Sequence, residues 1–79
     1  MSVTVLFFGA VANDVGSRSK QIEIVRGKGS ADLFESIVAE YPSLRRHKLL
    51  FAVNQEYVSG DAPLKEGDEI AIFTAVSGG

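Results

Sequence analysis

Five short stretches of the chain are predicted to be β-strands, either because apolar and polar residues alternate in them or because they are rich in apolar, β-branched and aromatic side chains. Residues 3–8 (VTVLFF) and 20–25 (KQIEIV) are rich in β-branched and aromatic side chains. Residues 49–54 (LLFAVN) and 69–73 (EIAIF) have the same character, and Tyr57-Val58 reads as a short return strand after a turn. The pattern therefore predicts five strands, the last of them close to the end of the sequence.

A helical period replaces this alternation between the second and third strands. Apolar side chains recur there at the spacing of one helix face, at Leu33, Phe34, Ile37, Val38 and Tyr41. Ser30 is the predicted N-cap, Asp32 lies in the first turn, and Pro42 is predicted to end the helix. Within residues 9–19, a shorter helical turn closed by Gly16 is expected.

One main helix with five strands predicts an α+β fold in which the helix packs on one face of the sheet. Strand parity directs Val3, Val5 and Phe7 towards the helix, together with Ile70 and Ile72. It directs Phe8 and Phe73 towards the other face, and Tyr57 is a candidate to join them there. Scattered exposed apolar residues are normal on a protein surface, whereas a cluster of them marks a partner site, and parity alone leaves both possibilities open.

Composition narrows the class of protein. The 79 residues include no cysteine, no metal-ligand cluster and no apolar run of 18 residues, so we expect one domain (residues 1–79) without disulfide, metal or membrane span. The first residues lack a basic segment and alternate like a strand, so no signal peptide is predicted and the location is expected to be cytoplasmic. Interspersed charges with a net charge of −2 argue against a nucleic-acid surface, and residues 45–48 (RRHK) are interpreted as a solvated turn.

Candidate catalytic groups within the chain are few. His47 has no acid or nucleophile beside it in sequence, so it is expected at the surface. Asp68 and Glu69 are adjacent in a strand context and should point apart. The GKGS stretch, residues 27–30, lacks the spacing of a phosphate-binding loop.

The sequence ends on Gly78-Gly79, which has two possible interpretations. The pair is either a disordered chain end, or a segment without side chains that allows the Gly79 carboxylate to enter a narrow site. A carboxylate is a poor electrophile until it is activated, for example as an acyl-adenylate made from ATP, after which a sulfur donor can convert it into a thiocarboxylate. Residues 75–79 are expected to be a flexible tail.

Two long stretches resemble the small, sulfur-carrier subunits of molybdopterin synthases. They are VTVLFFGAVANDVG (residues 3–16) and KLLFAVNQEYVSGDAPLKEGDEIAIFTAVSGG (residues 48–79), with AVNQEYV, GDEIAIF and the final VSGG as the most specific pieces. The resemblance implies a ubiquitin-like β-grasp fold with a mixed sheet. It also implies that an activating enzyme uses ATP to adenylate Gly79, with Gly78 as a spacer, and that a sulfur donor protein supplies the sulfur.

The implied acceptor is a cyclic pyranopterin monophosphate in the active site of a large subunit, in an assembly of two small and two large subunits. Phe8, Tyr57 and Phe73 fall on the family's partner surface, and no cofactor is expected on this chain itself. Two departures stand out: Thr74-Ala75 replaces a usual proline, which predicts a more mobile tail, and Ala12-Asn13 replaces an Arg-Glu pair, which puts one charged partner contact in doubt. A carrier for thiazole synthesis, another ubiquitin-like carrier, and a plain β-grasp interaction module remain as alternatives.

Overall fold

The computed structural model describes residues 1–58 and 60–74, and the predicted Gly78-Gly79 tail lies outside these residues. A mixed sheet and three helical segments make up the described part. In chain order the elements are β1 (Ser2–Phe7), α1 (Ala10–Val15), β2 (Ser19–Glu23), α2 (Ser30–Glu40), a 3-10 helix (Pro42–Arg46), β3 (Leu49–Val53), β4 (Glu56–Tyr57) and β5 (Glu69–Thr74). The order of elements is the predicted one, with the 3-10 helix added.

The five strands lie side by side in the order β2-β1-β5-β3-β4. The two central strands, β1 and β5, run parallel, with Val5 opposite Ile70, and every other pair is antiparallel. This arrangement confirms the predicted α+β fold with a mixed sheet. The second and fourth strands begin one residue earlier than predicted and leave Ile24, Val25 and Val58 outside the sheet.

The core lies between one face of the sheet and the helical segments. Its buried members include Val3, Val5 and Phe7 from β1, Ile70 and Ile72 from β5, Val11 from α1, and Leu33 and Ile37 from α2. The predicted inward face of both central strands is thus confirmed. Phe34 of α2 adds a stacked contact with Phe51 of β3, whose ring centroid is 3.4 Å away.

The segment after α2 differs from the predicted solvated turn. Pro42 does end α2, but the chain continues as a 3-10 helix that buries Leu44 completely. Burying a leucine side chain stabilises a fold by about 1.5–3 kcal/mol, so Leu44 anchors this short element to the core. Arg45 and Arg46 are exposed as expected, so the prediction was wrong about the structure of the segment and right about its solvation.

The start of α2 is capped from a distant loop rather than by Ser30, so the predicted N-cap is wrong. Gly29 occupies the cap position, and the backbone N–H of Ala31 donates instead to Asp61 Oδ1, 2.9 Å away. Ser30 is fully buried, where its hydroxyl accepts a hydrogen bond from the Ala62 N–H at 2.8 Å. A side chain at Gly29 would overlap the Asp61 carboxylate, which explains the glycine in the GKGS stretch.

A buried carboxylate ties the β3–β4 turn to the start of β5. Asp68 accepts hydrogen bonds from the Asn54 side-chain amide at 2.9 Å and from the Lys65 N–H at 2.8 Å. Burial favours the neutral acid, but these two donors and the nearby Lys65 charge outweigh it, so the pKa of Asp68 lies below its ordinary value. Glu69, by contrast, is exposed, so the two adjacent carboxylates point apart as predicted.

We expect the Asn54→Ala variant to lose about 1–3 kcal/mol of unfolding free energy at neutral pH, because it removes a partner of a buried carboxylate. Gln55→Ala is the matched control: both residues have positive φ, 50° and 70°, but no hydrogen bond joins the Gln55 side chain to a described residue. A lowered folded-state pKa means that ionised Asp68 stabilises the fold above about pH 4 and loses this effect as pH falls through the lower pKa. Urea unfolding at several pH values should therefore show the Asn54→Ala deficit shrinking in acid, and a deficit independent of pH would contradict this role.

Candidate functional site

The second face of the sheet carries the three aromatic residues predicted to lie there. All three helical segments send buried side chains to the core face, so no described element covers the second one. Tyr57 and Phe8 are 77% and 50% exposed, and Phe73 is half-buried. Large aromatic side chains at this exposure leave a substantial apolar area in contact with water.

The structure brings these three residues together. The rings of Tyr57 and Phe73 meet edge to face, with centroids 5.8 Å apart. Phe8 directly follows β1, and its N–H donates to the Ile72 carbonyl oxygen at 3.2 Å, which places it beside Phe73. The register adds Leu50, which lies opposite Phe73, and Leu6, which lies opposite Ala71. We call this group the apolar face: Leu6, Phe8, Leu50, Tyr57, Ala71 and Phe73.

Towards the start of β1, this side of the sheet is polar. Gln21 donates from Nε2 to Thr4 Oγ1 at 2.8 Å and accepts a hydrogen bond from Ser2 Oγ at 3.1 Å. These residues lie where β1 begins, whereas the apolar face lies where β1 and β5 end. The apolar face is therefore confined to the half of the sheet from which the chain continues past Thr74 into residues 75–79.

A groove of about 590 Å³ borders the apolar face on the β2 side. Phe8 and Leu6 line it together with Arg18, and the first turns of α1 contribute Ala12 and Asn13. Ala12 and Asn13, one of the two pairs that depart from the pattern of the resembling family, thus lie near Phe8. The sequence places them between the first two strands, but only the folded chain shows that they adjoin the predicted partner surface.

A charged cluster fixes α1 against the 3-10 helix. Asp14 Oδ2 lies 2.6 Å from His47 Nε2, and Asp14 Oδ1 lies 3.6 Å from Arg46 Nη2. His47 was expected at the surface, but its side chain is only 24% exposed, because it packs against an acidic residue from a distant part of the chain. Because the two residues are 33 positions apart, no local sequence signal indicates the pair. No serine or threonine hydroxyl of the described chain bonds to it, so the cluster supports packing rather than a catalytic triad.

Ionisable residues do not form a metal site in the described part of the molecule. No group of three or more His, Cys, Asp or Glu side chains lies close enough to hold an ion in residues 1–58 and 60–74. Over the same residues, neither α1 nor α2 has the length and apolar character needed to cross a membrane. The apolar face is the candidate site because exposed aromatic side chains cluster there, and such a surface is suited to binding a protein.

The mixed sheet, with its parallel central strands and one long helix crossing a single face, defines a ubiquitin-like β-grasp domain. The chain belongs to the ThiS family, which matches residues 5–79. A human relative, named molybdopterin synthase sulfur carrier subunit, is 39% identical over 98% of this chain and 93% of its own. A relative of the same name from Chlamydomonas reinhardtii is 36% identical over the full length of both proteins.

Solved structures agree with this assignment. SAMP1 from Haloferax volcanii is 25% identical, and the whole of both chains superimposes with a TM-score of 0.87. A chain of the complex of subunits 1 and 2 of molybdopterin-converting factor from Helicobacter pylori is 27% identical, with a TM-score of 0.73 over the whole of both chains. The second structure shows a protein of this fold in a two-subunit complex.

Proposed function

We propose that this chain is the sulfur carrier subunit of a molybdopterin synthase. The observation that carries the proposal is the apolar face at the end of β5, in a chain that is similar over its full length to sulfur carriers of that enzyme. The chain takes part in a sulfur-transfer enzyme complex and supplies a reactive group rather than a pocket. The thiazole-synthesis alternative is not favoured, because the curated relatives bear the molybdopterin synthase name.

Gly79 is the proposed carrier residue. Its carboxylate, ionised at neutral pH, attacks the α-phosphate of ATP on an activating enzyme and releases pyrophosphate. The resulting acyl-adenylate is electrophilic, and sulfur supplied by a donor protein at the oxidation level of sulfide attacks its acyl carbon; the C–S bond forms as the C–O bond to AMP breaks, and the departure of AMP leaves a thiocarboxylate. Gly78 serves as a spacer without a side chain, so that the acyl group can enter a narrow channel.

The apolar face is the proposed docking surface for the large subunit. Docking there holds the domain outside the active site while residues 75–79 extend inwards to the acceptor, a cyclic pyranopterin monophosphate. The face contains aromatic residues, which commonly supply most of the binding energy at protein interfaces. Two carriers and two large subunits would form the assembled enzyme, and we propose a cytoplasmic location for it.

The proposal is tested by mass spectrometry of the intact chain after incubation with its activating enzyme, ATP and a sulfur donor. We expect a product heavier than the starting chain by the mass difference between sulfur and oxygen, with the change confined to the C-terminal peptide. A reaction without ATP is the control and should give no product. If the complete mixture leaves the mass unchanged, the carrier function is wrong.

A further inference from the structure

Charges that are interspersed in the sequence are separated in the folded chain. We call the end of the sheet where β1 and β5 finish and β2 and β3 begin the tail end. It holds five of the eight Lys and Arg residues and two of the ten carboxylates: Arg18, Lys20, Arg45, Arg46 and Lys48, with Asp14 and Glu40. Five positive and two negative charges give the tail end a formal charge of +3.

The opposite end of the molecule is acidic. It holds three cations, Arg26, Lys28 and Lys65, and the eight remaining carboxylates: Glu23, Asp32, Glu35, Glu56, Asp61, Glu66, Asp68 and Glu69. Its formal charge is therefore −5, and the two ends together account for the net charge of −2. The side-chain charges are therefore unevenly distributed, and the positive end of the molecule is the one at which β5 ends with Thr74.

Two of the tail-end cations are already paired. Lys20 Nζ lies 2.8 Å from Glu40 Oε1, and Arg46 is bound to Asp14 as described above. Arg18, Arg45 and Lys48 are exposed, and none forms a salt bridge with a carboxylate of the described residues. These three, which we call the basic rim, are the charges available to a partner.

Two members of the basic rim, Arg18 and Lys48, flank the apolar face, whereas Arg45 lies on the 3-10 helix at the same end of the molecule but on the core side of the sheet. Arg18 lines the groove beside Phe8, and its carbonyl oxygen pairs with the Phe7 N–H at the end of β1. Lys48 directly precedes β3, whose first residue, Leu49, lies opposite Thr74. Three strand spacings separate β2 from β3, so the backbones that carry these two cations are about 14 Å apart across the apolar face.

Salt in solution screens each charged end of the molecule from a partner that faces the other end. The six residues of β1 span about 20 Å, which is more than twice the Debye length of about 8 Å at physiological ionic strength. A partner facing the tail end therefore experiences the positive charge there, and the net negative charge of the whole chain is largely screened.

Resting on the function proposed above, we propose that the large subunit carries an acidic collar around an apolar centre and that the basic rim steers this carrier onto it tail end first. Carboxylates about 14 Å apart on the partner would face Arg18 and Lys48. An acidic surface repels the opposite end of the carrier, so approach in the wrong orientation is disfavoured before contact. Nucleic acid is the less suitable partner, because the basic rim is small and borders an aromatic surface instead of forming a continuous basic stripe.

The test compares two triple charge reversals that alter the net charge equally. Arg18→Glu, Arg45→Glu and Lys48→Glu remove the basic rim, whereas Arg26→Glu, Lys28→Glu and Lys65→Glu change the opposite end. Stopped-flow association with the purified large subunit should be about tenfold slower for the rim variant at about 150 mM NaCl and change less than about threefold for the control. At about 1 M NaCl, where the Debye length is about 3 Å, all three chains should associate at similar rates.

The outcomes separate this proposal from the proposed function. Equal slowing of both variants would mean that net charge alone controls the association rate. Unchanged rates in both variants would mean that the charges do not steer association. Either result would overturn the proposed role of the basic rim but leave the proposed carrier function intact. A wild-type chain that fails to bind the large subunit at any salt concentration would instead overturn the function, and the rim with it. Thermal unfolding of the variants, together with a version in which glutamine replaces all three rim residues, verifies that slower association does not come from misfolding.

Discussion

Deleting Gly79 should lower sulfur transfer by more than about a thousandfold, because the reacting acyl group is then carried by a shortened tail. The domain should remain folded, with a change in unfolding free energy below about 0.5 kcal/mol, since the deletion leaves every residue of the described core in place and terminal residues commonly add little to stability. Molybdopterin formation in a reconstituted synthase measures the first effect, and urea unfolding measures the second.

Ser77→Ala provides a control for this deletion, because it alters the same segment but keeps both terminal glycines. It should transfer sulfur at close to the normal rate. Binding of the shortened chain to the large subunit should weaken far less than transfer does. Full activity in the chain that lacks Gly79 would favour the remaining alternative, a β-grasp interaction module with an inert tail.

Phe8→Ala should weaken binding to the large subunit by about thirtyfold or more, corresponding to about 2 kcal/mol. Phe8 lies between the apolar face and the groove beside α1, so its side chain adds contact area to both surfaces. Since its ring is half exposed in the unbound chain, the cost to folding should be small compared with the cost to binding. Calorimetric titration of the large subunit with each chain gives the dissociation constants.

Val25→Ala is the matched control for Phe8→Ala. Val25 is also a large exposed apolar residue, 69% accessible, but it follows β2 at the acidic end of the molecule. Its substitution should leave the dissociation constant within about twofold of the normal value. If both substitutions weaken binding to the same extent, the apolar face is not the specific docking surface.

Local sequence patterns predicted the parts of this fold that depend on local physics. The alternation of Val3, Val5 and Phe7 identified the core face of β1, and the same parity placed Phe8 and Phe73 on the other face, because side-chain direction in a strand has a period of two. Gly16 ends α1 as expected, with a φ of 80°. These features require no knowledge of which segments meet in space.

The features that sequence analysis missed all depend on contacts between distant segments. Asp61 caps α2 across 30 positions, so the prediction chose Ser30, which has the right chemistry for a cap but is buried against another loop. Asp14 meets His47 only when α1 packs on the 3-10 helix. Residue types alone gave no sign that the interspersed charges would separate between the two ends of the molecule, because strand direction decides the end at which each charge lies.

The central position of β5 in the sheet affects how firmly the chain before the C-terminal segment is held in the domain. Strands at the edge of a sheet fray readily, but β5 is hydrogen-bonded on both sides, to β1 and to β3 up to Thr74. Its amide protons should therefore be among the slowest in the chain to exchange with solvent, because they open only when the whole sheet opens. If Gly79 is the carrier residue as proposed, a pull on it would be borne by the central strand of the sheet, so the domain would resist being drawn after it into the partner.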